Sequence, residues 1–167
     1  MHLGRIARIS GALALAASIC VGTVCAQPAV AMETTLIAQV RAERTTGDAG
    51  SVQRFVRAGV LKEGQELFYT LRIRNPSSEF ARGVVVVQPI PKNTVYVPGS
   101  AAGPGALVTV SADGGRTFAS EAALSVTDAA GVSRRAQPQD YTHIRWELRN
   151  PLAPGAIALA RFCAIFR

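Results

Sequence analysis

Lysine, histidine, cysteine and tryptophan are all scarce in this chain of 167 residues. Lysine occurs only at Lys62 and Lys92, histidine at His2 and His143, cysteine at Cys20, Cys25 and Cys163, and tryptophan at Trp146. A zinc site takes several His or Cys ligands, and a chain cleaved after Ala26 would keep one of each, His143 and Cys163. A calcium site needs clustered oxygens, and Asp113, Asp128 and Asp140 fall in separate turns with no EF-type loop. The G-x-S-x-G elbow of the α/β hydrolases is missing. No internal repeat is present, which argues against a solenoid or a propeller. The basic residues are scattered apart from Arg134-Arg135, without the aromatic-interleaved stripe of a nucleic-acid protein. After Ala31 almost nothing carries a helical period.

The N-terminus has the form of a secretory signal. Arg5 and Arg8 make a positive n-region and Gly11 to Val24 an apolar h-region. Val24-Cys25-Ala26 then supplies the small-residue cleavage pattern, with a second candidate at Ala29-Val30-Ala31. The apolar run is shorter than the roughly 20 residues of a transmembrane helix. Neither Cys20 nor Cys25 follows the small residue that lipoprotein processing requires, so a soluble exported protein is expected. Cleavage after Ala26 leaves 167 − 26 = 141 residues, which suits one domain with a core of its own. It also removes two of the three cysteines, and Cys163 alone cannot make an internal disulfide in an oxidising compartment. The formal charge of +7 becomes +5 once Arg5 and Arg8 leave. That charge reads first as a solvated basic surface, with a mild attraction to an anionic envelope surface or polysaccharide as the alternative.

The remainder reads as short strands cut by turns. Thr34–Arg41 and Val52–Leu61 are β-prone, separated by a turn cluster over Thr45–Ser51. Over 67–74, Leu67, Tyr69, Leu71 and Ile73 alternate with Phe68, Thr70, Arg72 and Arg74. This is the period of two of a half-buried strand, and Asn75-Pro76-Ser77-Ser78 stops it. Val84–Val87 is a continuous apolar run, which predicts a strand buried on both faces; Pro89 and Pro91 end it. Thr94–Val97 is a further strand. Leu107–Ser111 and Arg116–Phe118 flank a tight Asp113-Gly114-Gly115 turn, a hairpin signal. Ala123–Val126 is a short strand, and Arg134–Gln139 a polar connection. Ile144–Leu148 places Ile144, Trp146 and Leu148 on one face, and Ala156–Phe166 is the last strand. Eight to ten short strands at this spacing predict an antiparallel β-sandwich.

The order Y-T-L-R-I-R-N, G-V-V-V-V, I-P-K-N-T-x-Y-V-P-G-S, D-G-G-R-T-F, D-Y-T-H-I-R-W-E-L, P-L-A-P-G and a final strand resembles the bacterial conserved repeat domain of surface and envelope proteins. It is most similar to the stand-alone, signal-bearing proteobacterial versions. The resemblance runs from about Thr34 to Arg167. It implies an immunoglobulin-like β-sandwich of roughly 7–10 strands over residues 34–167, behind a signal peptide at 1–26 or 1–31. It implies packaging, presentation or adhesion in an envelope rather than catalysis. The family usually places an acidic residue before its L-P or I-P turn, where this chain has Gln88 and Pro89.

Four constellations invite chemistry, and each has a structural reading. Ser111-x-Asp113-x-Gly115-x-Thr117-Phe118 fits the Asp-box, whose carboxylate accepts turn amide hydrogens while the aromatic packs beneath. One copy cannot build a propeller, so a structural hairpin is expected. His143 lies beside Asp140, Tyr141 and Thr142, but strand parity aims it away from the core with no nucleophile to serve. Trp146 could be a ligand platform, although a tryptophan between sheets is commoner in sandwiches. Cys163 shares a face with Arg161, Ile165 and Arg167, which favours exposure and permits a disulfide-linked homodimer. The apolar final strand offers itself as an edge for strand addition.

The expected protein is therefore non-enzymatic, with no catalytic, metal or cofactor residues. It would be an exported periplasmic or extracellular module meeting an unknown envelope protein or polysaccharide through sheet edges and end loops. A subunit or helper of a surface assembly that pairs by strand addition is one alternative. A carbohydrate-directed hydrolase is another; it needs two facing carboxylates, drawn from Asp113, Glu121, Asp140 and Glu147.

Overall fold

The computed structural model describes residues 31–41 and 55–167. The signal sequence through Val30, the turn cluster Thr45–Ser51 and the stretch Val52–Arg54 lie outside the described residues. What is described is all-β and antiparallel, a β-sandwich-like arrangement. Its strands are β1 (Glu33–Arg41), β2 (Phe55–Arg57), β3 (Glu66–Arg74), β4 (Val85–Pro89), β5 (Thr94–Tyr96), β6 (Ala106–Ser111), β7 (Ser125–Thr127), β8 (Ser133–Arg135), β9 (His143–Leu148) and β10 (Ile157–Phe166). One 3-10 turn, Pro138–Asp140, precedes β9. The larger sheet runs β2-β1-β3-β10-β5 and the smaller β4-β9-β6, while β7 and β8 form a separate ribbon.

Alternation builds the core. Leu67, Tyr69, Leu71 and Ile73 of β3 are buried, as their period of two predicts. Their register partners Ala164, Phe162, Ala160 and Ala158 on β10 are buried too. Ile144, Trp146 and Leu148 of β9 close the core from the smaller sheet. Trp146 lies 6.1 Å from the Phe162 ring, which in turn stacks on Tyr69 at 4.7 Å. The indole needs small neighbours, and Gly103 provides one. A Cβ at Gly103 would stand 3.2 Å from both Trp146 Cδ1 and the Ala106 methyl. Trp146 is fully buried, so it is a core residue and no ligand platform.

The structure corrects four expectations. The valine run is not buried on both faces: Val84 and Val86 are inside, whereas Val85 and Val87 are 49% and 43% exposed. Its strand β4 is the rim of a three-stranded sheet, where only one face meets a core. The final strand is not an edge. β10 sits between β3 and β5, and the loop before β6 extends its outer ladder through a bridge from Ala102 to Arg161. Arg116–Phe118 forms no strand; the hairpin closes through a single bridge between Val110 and Ala119. The polar connection contains strand β8, paired with β7 and exposed throughout.

Asn75 ties β3 to the loop before β10. Its buried amide donates to the carbonyls of Glu79, Leu152 and Ala153 at 2.7, 2.9 and 3.2 Å. Its side-chain oxygen accepts from the Ser77 backbone N–H and hydroxyl at 3.1 and 2.8 Å. Asn75→Ala strands several of these groups away from water, each at a cost of about 1–3 kcal/mol. We expect denaturant unfolding to show a loss of roughly 2–4 kcal/mol for Asn75→Ala. Asn75→Asp should lose more, because it faces a carboxylate with three carbonyl oxygens.

Candidate functional site

The rim of the smaller sheet has the form of an acceptor. Hydrogen bonds from Leu148 N–H to the Val84 carbonyl and from Ile90 N–H to the Thr142 carbonyl set the β4–β9 phase. In an antiparallel ladder alternate residues bond to opposite sides. Val84, Val86 and Gln88 therefore bond to β9, while Val85 and Val87 direct their backbone groups outward. Among the described residues nothing pairs with that outward side. Pro89 ends the strand, with its carbonyl capped by Gln88 Nε2 at 2.8 Å.

The opposing sheet overhangs this rim. It has five strands against three, and β2 pairs only with Gln39–Arg41 of β1. On the inner face of this sheet Leu36, near the middle of β1, is 37% exposed, and Val56 of β2, opposite Val40, is 40% exposed. A groove of about 1250 Å³ runs between the two sheets here, lined by Met32, Thr34, Phe80 and the β4 valines. Ser77, Ser78, Glu79 and Arg82 add polar groups to its wall, and the outward backbone of β4 beside it suits one extended peptide strand. The sequence signal for this site was the four-valine run, but whether that strand lies at a rim depends on distant pairings.

The Asp-box forms as a local unit at one end of the sheet. Asp113 Oδ1 accepts from Ser111 Oγ at 2.7 Å and from Arg116 N–H at 3.0 Å, and Oδ2 accepts from Thr117 Oγ1 at 2.6 Å. These donors, the Thr117 hydroxyl and amide first, hold the Asp113 carboxyl well below the usual carboxylate range. Gly115 has φ +85°, so the backbone calls for glycine, and a Cβ there would meet the His143 ring at 3.4 Å. Phe118 is half-buried, with the Arg145 guanidinium 4.7 Å above its ring. His143 lies on the outer face of β9, its Nδ1 3.1 Å from Thr142 Oγ1.

Three of the four carboxylates weighed for hydrolysis serve structural duties. Asp113 organises its turn. Glu121 accepts from the Tyr96 hydroxyl at 2.7 Å and from Gly99 N–H, fixing the Pro98-Gly99 turn. Burial, then the Glu121 hydrogen bond, raises the Tyr96 phenol strongly. Asp140 takes a two-pronged contact from Arg134 at 2.7 and 2.9 Å and accepts from Gln137 N–H, which lowers its pKa to about 2. Glu147 stands exposed on β9 between Val85 and Leu107. Beside Glu121 and Tyr141, a cleft of about 310 Å³ is walled by Pro98, Pro138 and Arg135. No group of three His, Cys, Asp or Glu side chains suited to a metal occurs among the described residues.

Cys163 is half-buried on the outer face of the larger sheet, opposite Phe68 in register. Burial pushes its thiol upward, with Glu66 adding to the shift and Arg41 opposing it. Comparison with family models, curated proteins and solved structures finds no match to this chain.

Two outcomes follow. Protonating Asp113 removes its turn-holding role. Its folded-state pKa is depressed, so the stability it contributes is complete above the ordinary carboxylate range and fades as pH falls below it. Asp113→Asn should melt below the parent at pH 6, and the difference in melting temperature should narrow steadily as pH falls below the ordinary carboxylate range. Cys163 should react with iodoacetamide more slowly than a free cysteine at pH 8, since only the thiolate attacks. Unfolding in urea should restore the rate of a free thiol.

Proposed function

We propose that this chain is a non-enzymatic module of a bacterial envelope, exported behind a cleaved signal, immunoglobulin-like in fold and acting through its sheet edges and end loops. The observation that carries the reading is the β4 rim, whose outward backbone groups have no partner among the described residues and lie beside a groove. Soluble proteins usually blunt such edges with charge, proline or a covering segment. Here Pro89 blunts one end, and Val85 and Val87 leave the rest apolar. The hydrogen bonds that commit Asp113, Glu121 and Asp140 to their turns support binding over hydrolysis.

The same rim favours a second reading, a subunit or helper of a surface assembly that pairs by strand addition. An added strand would gain main-chain hydrogen bonds from β4, and its alternate side chains would lie in the groove beside Met32 and Phe80. The site of addition is then β4 and not the terminal strand.

Expression with the leader in a Gram-negative host tests export directly. The periplasmic product should have the mass of a chain starting at Gln27 or Met32; retention of all 167 residues in the cytoplasm would overturn the reading. Val87→Pro tests the rim, because it removes an outward N–H and spares the ladder to β9. By light scattering, the parent should self-associate or bind an added valine-rich strand peptide, and Val87→Pro should abolish this at unchanged melting temperature. A parent that stays monomeric and ignores the peptide would sink strand addition.

A further inference from the structure

We infer that the outer face of the larger sheet carries a docking site for a linear polyanionic glycan, centred on Arg72 and Arg161. The inference is separate from the β4 rim. It depends on the envelope reading only for where such a polymer would be met.

Strand parity puts the even-numbered residues of β3 and the odd-numbered residues of β10 on this face, away from the core. Arg72 is in register with Leu159, and Arg161 with Thr70. The two arginines are therefore diagonal neighbours on adjacent strands, roughly 7–8 Å apart at the backbone. Arg74 continues the line one step along β3. Both arginines of the diagonal are exposed.

The charge on this face is not balanced. Its two described carboxylates are already engaged: Glu33 with Arg74 at 2.9 Å, and Glu66 with Arg41 at 3.9 Å. Among the described residues no carboxylate lies within ion-pair distance of Arg72 or Arg161. Two like charges on a diagonal repel each other, and a bound anion would remove that cost. The residues between them are suited to such a ligand. Thr35 and Thr70 bring hydroxyls into line with Arg72 and Arg161, and Leu159, 43% exposed, offers an aliphatic surface for the carbon face of a sugar ring.

Arginine favours carboxylate, sulfate or phosphate groups, because its planar fork can grip two oxygens at once. A single small anion on an exposed arginine pair would gain little. A polymer with successive charges engages several cations together, and its second contact is intramolecular. A bilayer is a poorer fit. Anionic membranes reward a polybasic cluster with apolar groups that insert, whereas among the described residues the arginines of this face without a carboxylate partner, Arg57, Arg72 and Arg161, are spread over three strands, and its Phe55 and Phe68 rings pack on each other at 4.9 Å.

The test is equilibrium binding of the purified secreted protein to polygalacturonate and to dextran sulfate at low and physiological salt. Uncharged dextran and phosphatidylglycerol vesicles are the other two probes. Arg72→Gln/Arg161→Gln is compared with Arg116→Gln/Arg149→Gln, which removes equal charge from exposed positions elsewhere. The parent should bind both polyanions and not dextran. The diagonal double variant should weaken binding by about tenfold or more, as expected for two lost charge-assisted hydrogen bonds, and the control pair by less than about twofold. Thr70→Glu puts a carboxylate between the arginines and should reproduce the loss with both guanidinium groups retained. Equal losses in the two double variants would reduce the effect to net charge and overturn the site. Binding to the vesicles but to neither polyanion, or no polyanion binding at low salt, would overturn it as well. Leader cleavage is read independently, so failure here leaves the export reading standing.

Discussion

Nine residue pairs join β3 to β10, and the rest of the larger sheet takes its position from that ladder. The pairing sets large side chains of β3 beside mainly small ones on β10: Leu67, Leu71 and Ile73 face Ala164, Ala160 and Ala158. The alanines leave the room in which Trp146 of the opposite sheet lies against Phe162. A slip of one residue would turn every one of these side chains to the outside. Cys163 has no disulfide partner among the described residues, and this complementarity of volume holds the two sheets together. Asn75 then fixes the end of the ladder, joining the exit from β3 to the entry into β10.

The same ladder separates the surfaces. The inward phase of β3 and β10 makes the core, and the outward phase makes an arginine-rich plane with no further sheet over it among the described residues. The smaller sheet covers only part of the inner surface, leaving Leu36 and Val56 partly exposed, and the groove lies beside the β4 rim. One register thus leads to both a flat charged face and a groove. They are directed differently and suit different partners: a charged polymer on the plane and a peptide strand in the groove.

Sequence patterns revealed these features unevenly. The alternation in 67–74 and 144–148 was legible because burial on one face imposes its period on the residues themselves. The Asp113 turn was legible because its donors all lie within four residues. The valine run misled because valine suits either face of a strand, and nothing local states whether a second layer lies over it. The terminal strand misled for a related reason: its apolar outer positions suggest an edge, while its neighbours β3 and β5 lie far away in sequence. Ribbon β7–β8 was partly missed, since Ser133, Arg134 and Arg135 are exposed and show no alternation. The Arg72–Arg161 diagonal could not be read at all before the register between β3 and β10 was known.

Trp146 is the chain's sole tryptophan, fully buried, and its Nε1–H has no acceptor among the described residues. An indole in such surroundings emits at short wavelength, and exposure to water shifts its emission to the red. The residue most central to the contact between the sheets is therefore also an intrinsic optical reporter of their separation. Intrinsic fluorescence would follow the joining of the two layers from a single known point, without any label.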